Sequence, residues 1–301
     1  MSGLMATPAP PAAPGPGPGP GEGPGPAPGP APVAGRGGGP AAALSDVLAL
    51  TGRHLRHLRR TPEKIIAVAL TPVAMVVILG YLFASVVSVG EGEYHDYVMA
   101  GVFAQVALTC VGITALGVAG DMGKGLIDRF RSLPVARPAV LVSHTAADLV
   151  PALCSMAAVG GVGLLVGWRI DRGVLPALGG FALLIAFAYA MLWLGALLGL
   201  VMRNAEAING ISALVLVIAS FLSSSFMPLN GLPTWLRTVT EWSPVSTVSE
   251  SCRVLWGNAP AAHGSGLPVE HPVLVASLTV GAMIVVLVPL CLRTFRTAAV
   301  R

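Results

Sequence analysis

The chain has 301 residues, of which 54% are hydrophobic and only 11% charged, with a formal net charge of +4. Soluble domains carry about 25% charged residues, so this chain has too little charge to coat a globule in water. The composition points to the lipid bilayer as its solvent, and no nucleic-acid partner is expected.

The first region is residues 1–42. It is mostly Pro, Gly and Ala, with "PGPGPGPGEGPGPAPGPAP" at its centre. Glycine does not recur at every third position, which excludes a collagen helix. With almost nothing apolar to bury, the segment is expected to be a disordered tail, not a secretory signal. A helical membrane domain is expected to run over 43–301.

The stretch "LSDVLALTGRHLRHLRRTPEK" follows. On a helical wheel Leu44, Val47, Leu48, Thr51, Leu55 and Leu58 fall within an arc of roughly 100°. Arg53, Arg56 and Arg60 lie opposite. A basic amphipathic helix beside a membrane span lies in the interface, with its arginines near lipid phosphates. Thr61 then suits an N-cap and Pro62 the first helical position.

Six apolar stretches approach the roughly 20 residues that a spanning helix needs. They are 65–89, 97–119, 139–167, 174–202, 207–228 and 272–292. The fold class is therefore an all-α integral membrane protein of six transmembrane helices, with both termini on one side. Placing the termini, the 120–138 loop and the Arg203 loop in the cytoplasm puts fourteen Lys and Arg inside. Four remain outside: Arg169, Arg172, Arg237 and Arg253. That is a strong positive-inside bias.

Between spans two and three lies "GDMGKGLIDRFRSLPVARP". Its Gly123-Lys124 invites comparison with a phosphate-binding loop. The hydroxyl residue after the lysine is Gly125 instead, and Val118 stands where the first glycine belongs. The loop does have helical order. Leu126, Phe130 and Leu133 fall within about 60° on a wheel. Lys124 and Arg131 share the opposite face with Asp128, and Pro134 ends the turn. Lipid and protein remain equal candidates to cover the apolar face.

Span three carries Asp148 and His144 near its start. Asp148 either pairs with Arg137 or His144 at the interface or faces an inner vestibule. Span five is the most polar wall, with Asn209, Ser212, Ser220, Ser223, Ser224 and Ser225. With Gln105 and Thr109 of span two, Asn209, Ser212, Ser220 and Ser224 are candidates to line a translocation path. Small polar residues also serve tight helix packing in lipid. The segment 229–271 contains Trp235 and Trp242, suited to a membrane interface.

The four cysteines, Cys110, Cys154, Cys252 and Cys291, show no CxxC spacing. They imply neither a disulfide framework nor a metal site. "GISA" at 210–213 lacks a catalytic base nearby, which weakens an intramembrane protease. A motorless channel or scaffold is a third class.

Two segments carry a resemblance. "GKGLIDRFRSLPVARPAVLVSHTAADLV" resembles the intracellular loop of type-2 ABC exporter permeases, in the daunorubicin-resistance (DrrB-like) branch. Its Leu-Pro-x-x-Arg is Leu133 to Arg137. "FMPLNGLPTWLRTVTEWSPVSTVSESCRVLWG" resembles the region after span five in the same family. The resemblance implies a membrane subunit that pairs with a second permease subunit, expected as a homodimer, and with separate ATP-binding subunits. It implies that residues 123–133 form a coupling helix, with Leu126, Phe130 and Leu133 covered by the ATPase and Lys124, Arg129, Arg131 and Arg137 beside it. No cofactor is expected in this chain, since ATP and Mg would bind the partner. The cargo implied is a hydrophobic or amphiphilic drug, with a lipid-linked sugar or other envelope component as the alternative.

Overall fold

The computed structural model describes residues 62–82, 94–123, 137–202, 204–226, 229–259 and 266–298, all within the unit Gly37–Arg301. The tail, the expected interfacial helix with Arg53, Arg56 and Arg60, and the loop residues Lys124, Leu126, Arg129, Phe130, Arg131, Leu133 and Pro134 lie outside the described residues. Among the described residues the fold is all-helical.

The helices are α1 Pro62–Leu82, α2 Tyr94–Gly123, α3 Arg137–Val166, α4 Val174–Val201 and α5 Ala205–Phe221. A 3₁₀ turn, Leu229–Gly231, precedes α6 Thr234–Glu241, α7 Pro244–Trp256, α8 Leu267–Glu270 and α9 Pro272–Ala298. Among the described residues, four stretches are long and apolar enough to cross a membrane: Tyr94–Gly123, His144–Val166, Val174–Val201 and Pro272–Phe295. Leu70–Gly80 and Ala205–Phe221 are shorter apolar helices.

The central helix is α2. It packs on α1, α3, α4, α5 and α7, most extensively on α4. Lipid gives apolar helices no hydrophobic reason to associate, so close packing through small residues must do it. On α4, Gly195 and Gly199 are four residues apart, and a Cβ on either would collide with the backbone of α2. The clashing atoms are the carbonyl oxygens of Val111 and Ala115. The two helices therefore cross backbone against backbone. Side chains on the outward faces are apolar and exposed, among them Leu70, Ile78, Val174, Leu175, Leu278 and Val285. In water such surfaces would drive aggregation; facing lipid, they are at home.

α5 begins as its sequence dictates. Asn204 accepts a hydrogen bond from the Glu206 amide at 2.9 Å, and Glu206 lies in the first turn, where the helix dipole favours an acid. Its end differs from the hydropathy boundary at 228. The helix stops at Phe221, and residues 222–226 form a serine-rich turn. Two serine hydroxyls bond back to their own backbone: Ser220 donates to the Leu216 carbonyl and Ser223 to the Ser220 carbonyl, at 2.6 and 2.7 Å. Such bonds compete with helix continuation. The carbonyls beyond are taken by side chains from α2 and α7.

α7 has Pro244 at its start and Gly257, at φ 90°, at its end. The Gly257 and Asn258 amides both donate to the Arg253 carbonyl, at 3.0 and 2.9 Å, a left-handed stop that glycine adopts without strain. Beside it lies an aromatic cluster. Trp168 and Trp256 meet edge-on with centroids 5.1 Å apart, and Phe103 and Phe181 stand 5.3 Å from Trp256. Gly180 makes room for the Trp256 indole. The Asp171 amide donates to the Trp256 carbonyl at 2.9 Å. The α3–α4 connection and the end of α7 thus sit together.

Candidate functional site

Polar side chains gather at both ends of the bundle. At one end the start of α2, the turn after α5 and α7 converge on Arg253, whose side chain is fully buried. A guanidinium has five N–H donors, and this one has five contacts. Nε donates to the Tyr97 carbonyl at 2.9 Å. Nη1 donates to Glu250 Oε1 at 2.7 Å and makes a longer contact with Ser224 Oγ at 3.4 Å. Nη2 donates to the carbonyls of Ser224 and Ser225, at 2.8 and 3.0 Å. The guanidinium carbon lies 3.6 Å from the Tyr97 ring centroid, a cation–π contact. A buried charge is tolerated only when paired and fully hydrogen-bonded, and both conditions hold here.

The same turn is fixed from α2. Tyr97 Oη donates to the Ser224 carbonyl at 2.7 Å, and Tyr94 Oη to the Phe226 carbonyl at 3.0 Å. Gly101 lets the turn touch the helix, since a Cβ there would overlap the Ser225 carbonyl oxygen. From α7, Ser246 Oγ accepts from the Ser224 amide at 3.0 Å, and Ser249 Oγ lies 3.4 Å from Ser225 Oγ. Burial pushes the Cys252 thiol up from its ordinary range, against a smaller opposing pull from Arg253. It stays a protonated packing group, and the four cysteines are unpaired with one another.

The expected path residues separate. Gln105 is buried on α2 with its side-chain amide in contact with Ser220 Oγ of α5, so this pair bridges two helices of one subunit. Thr109 donates to the Val106 carbonyl of its own helix at 2.7 Å. Ser212 packs on Gly112 of α2, where a Cβ would come within 3.2 Å of the serine Cβ. Ser224 lies buried in the turn, beyond the helix. Asn209 is exposed on α5, as are Leu214, Val217 and Phe221.

At the opposite end α2 finishes and α3 begins, with Arg137 as the first residue of α3. Thr114 Oγ1 donates to Asp148 Oδ2 at 2.7 Å. His144 Nδ1 lies 3.2 Å from that same oxygen, and Nε2 lies 3.5 Å from Asp121 Oδ2. Asp148 therefore has Thr114 and His144 as neighbours. Among the described residues no group of three or more His, Cys, Asp or Glu is placed to hold a metal ion.

Arg253 counted in the sequence only as an outer-loop charge; its burial was missed. A signal existed in "TVSESCR": the arginine closes a run of mostly small residues in which Glu250 is the single other charge. Tyr94 and Tyr97, three apart at a helix start, were the matching acceptors and donors.

A long-helix bundle with apolar outer faces and buried polar clusters at both ends is a multi-pass membrane protein. The sequence profile of the ABC-2 type transporter family matches residues 45–255, and the chain belongs to that family. It is 28% identical over 256 residues to the daunorubicin resistance ABC transporter permease protein DrrB1 of Streptomyces coeruleorubidus, covering 85% of this chain and 88% of the relative. It is 26% identical over 257 residues to the probable doxorubicin resistance ABC transporter permease protein DrrC of Mycobacterium tuberculosis, in strains CDC 1551 / Oshkosh and ATCC 25618 / H37Rv, covering 83% and 88%. It is a DrrB-like type-2 ABC permease, a membrane component of a transporter.

Proposed function

We propose that the chain is the permease of an ABC exporter that moves a hydrophobic or amphiphilic drug outward, driven by a separate ATPase. The observation that carries this reading is the similarity to daunorubicin- and doxorubicin-resistance permeases over more than four-fifths of the chain. Six spans are the reading in which α1 and α5 cross with the four longer helices. The termini and the 120–138 loop are cytoplasmic, and the Arg253 end of the bundle faces outward.

In this reading residues 123–133 dock on the ATPase. Leu126, Phe130 and Leu133 supply the apolar contact, and Lys124, Arg129, Arg131 and Arg137 supply positive charge. The ATPase holds ATP and Mg; this chain holds neither. Two copies of the chain enclose the path. The exposed face of α5, with Asn209 among Leu214, Val217 and Phe221, supports a mostly apolar wall with few polar contacts. Gln105 and Ser220 support that wall from behind by fixing α5 to α2.

The test is daunorubicin accumulation in cells that express the chain together with its ATPase, against cells that express neither. Lower accumulation in the expressing cells supports the reading; equal accumulation removes the drug-export claim.

A further inference from the structure

We propose that His144 is a positioning residue for coupling: as a charged imidazolium it holds the end of α2 to the start of α3, so that force on the chain between these helices moves both together. The inference rests on the reading of residues 123–133 as the ATPase-docking element.

The seat for this side chain is assembled from spaced residues on two helices. On α2, Thr114, Gly117 and Asp121 fall three and seven residues apart, which places them on one face. On α3, His144 and Asp148 are four apart and adjacent. Gly117 is where the imidazole lies against α2: a Cβ there would come within 2.9 Å of the ring's Cε1. The ring's Nδ1 then lies 3.2 Å from Asp148 Oδ2, a charge contact rather than an aligned hydrogen bond, and Nε2 lies 3.5 Å from Asp121 Oδ2. Neutral imidazole donates from one nitrogen only, whereas imidazolium donates from both. An imidazole between two carboxylates therefore does its full work in the charged form. Thr114 spends its hydroxyl on Asp148, fixing that carboxylate beside the ring.

Exposure falls from the edge inward. The Asp121 side chain is 41% exposed, Asp148 22% and His144 16%. One arm of the staple thus reaches the helix end next to the loop, and the other lies deeper between the helices. Among the described residues, Asp121 from α2 and Asp148 from α3 face His144. Of the other helices on α3, α1 carries Glu63 and Lys64 in its first turn and Tyr81 at its far end, α4 carries Tyr189, edge-on to Trp193, and α9 carries buried Cys291 and exposed Arg293.

The test uses the full chain in complex with its ATPase, in inverted membrane vesicles with daunorubicin as probe. Two quantities are read: ATPase retained on purification, and daunorubicin moved per ATP hydrolysed. His144→Gln is expected to retain the ATPase at the wild-type level while daunorubicin moved per ATP falls by roughly tenfold. His144→Arg, which keeps the charge, restores most of it. Should His144→Gln fold poorly, Asp121→Asn removes the more exposed arm and carries the same expectation. Wild-type efficiency in the glutamine variant, or an arginine variant as poor as the glutamine one, overturns the proposal. A chain that never retains the ATPase, whatever stands at 144, overturns the docking reading beneath it.

Discussion

The Arg253 guanidinium carbon lies over the Tyr97 ring, 3.6 Å from its centroid, while its Nε donates to that same residue's carbonyl. The two are 156 residues apart in the chain, and between them they hold the Ser224 carbonyl, which accepts from Tyr97 Oη and from Arg253 Nη2. This three-way contact fixes the turn that follows α5.

The contact has a graded consequence for stability. Tyr97→Phe keeps the ring and loses one hydrogen bond, at an expected cost of about 1 kcal/mol. Arg253→Ala takes the charge partner from Glu250 and a donor from the Tyr97, Ser224 and Ser225 carbonyls, leaves a cavity where a buried side chain stood, and is expected to cost roughly 3–5 kcal/mol. Thermal unfolding in detergent, followed by the loss of monodisperse protein, ranks the two. Equal losses would mean that the guanidinium is not the organising group.

Backbone contact between α2 and α4 leads to a second expectation. Gly195→Ala and Gly199→Ala each drive a methyl into a carbonyl of α2, and overpacking of this kind costs about 1–3 kcal/mol. Gly281 on α9 has open space around its Cβ position. There the alanine variant should be neutral or stabilising by about 0.5–1 kcal/mol, since glycine in a helix interior is the poorer helix former. The same unfolding assay on the three variants separates the sites.

Membrane orientation follows from charge. Reporter fusions placed at Tyr94 and at Phe130 should report opposite sides, with Phe130 cytoplasmic. The same side for both fusions would break the six-span arrangement.

Docking can be tested apart from folding. Leu126→Asp with Phe130→Asp should abolish ATPase co-purification while membrane insertion stays intact. A normal pull-down from that double variant would remove the docking role of the loop.

Much of the bundle was legible because spanning helices announce themselves by length and apolarity, as Val174–Val201 does. Asp148 beside His144 was legible too, since a spacing of four on a helix makes neighbours. The stop at Phe221 was not. Hydropathy counts Leu222 to Phe226 as more of the same stretch and cannot register that tyrosines near 94–97 and an arginine at 253 take the carbonyls. Nor could it register that Gln105 and Ser220 face each other inside one subunit, because a wheel gives a face and not what lies against it. Gly195 and Gly199 were readable in principle: two small residues four apart in an apolar helix are a packing signal. The seat of His144 needed three-dimensional contact, since Gly117 has no chemistry of its own to draw attention.

The central claim is that this chain and an ATPase together move drug at the expense of ATP. Daunorubicin uptake into inverted vesicles containing both proteins, with ATP and with a non-hydrolysable analogue, tests it most directly. The expected result is uptake that requires ATP hydrolysis and both chains. Uptake that proceeds with this chain alone, or none with the pair, would contradict it.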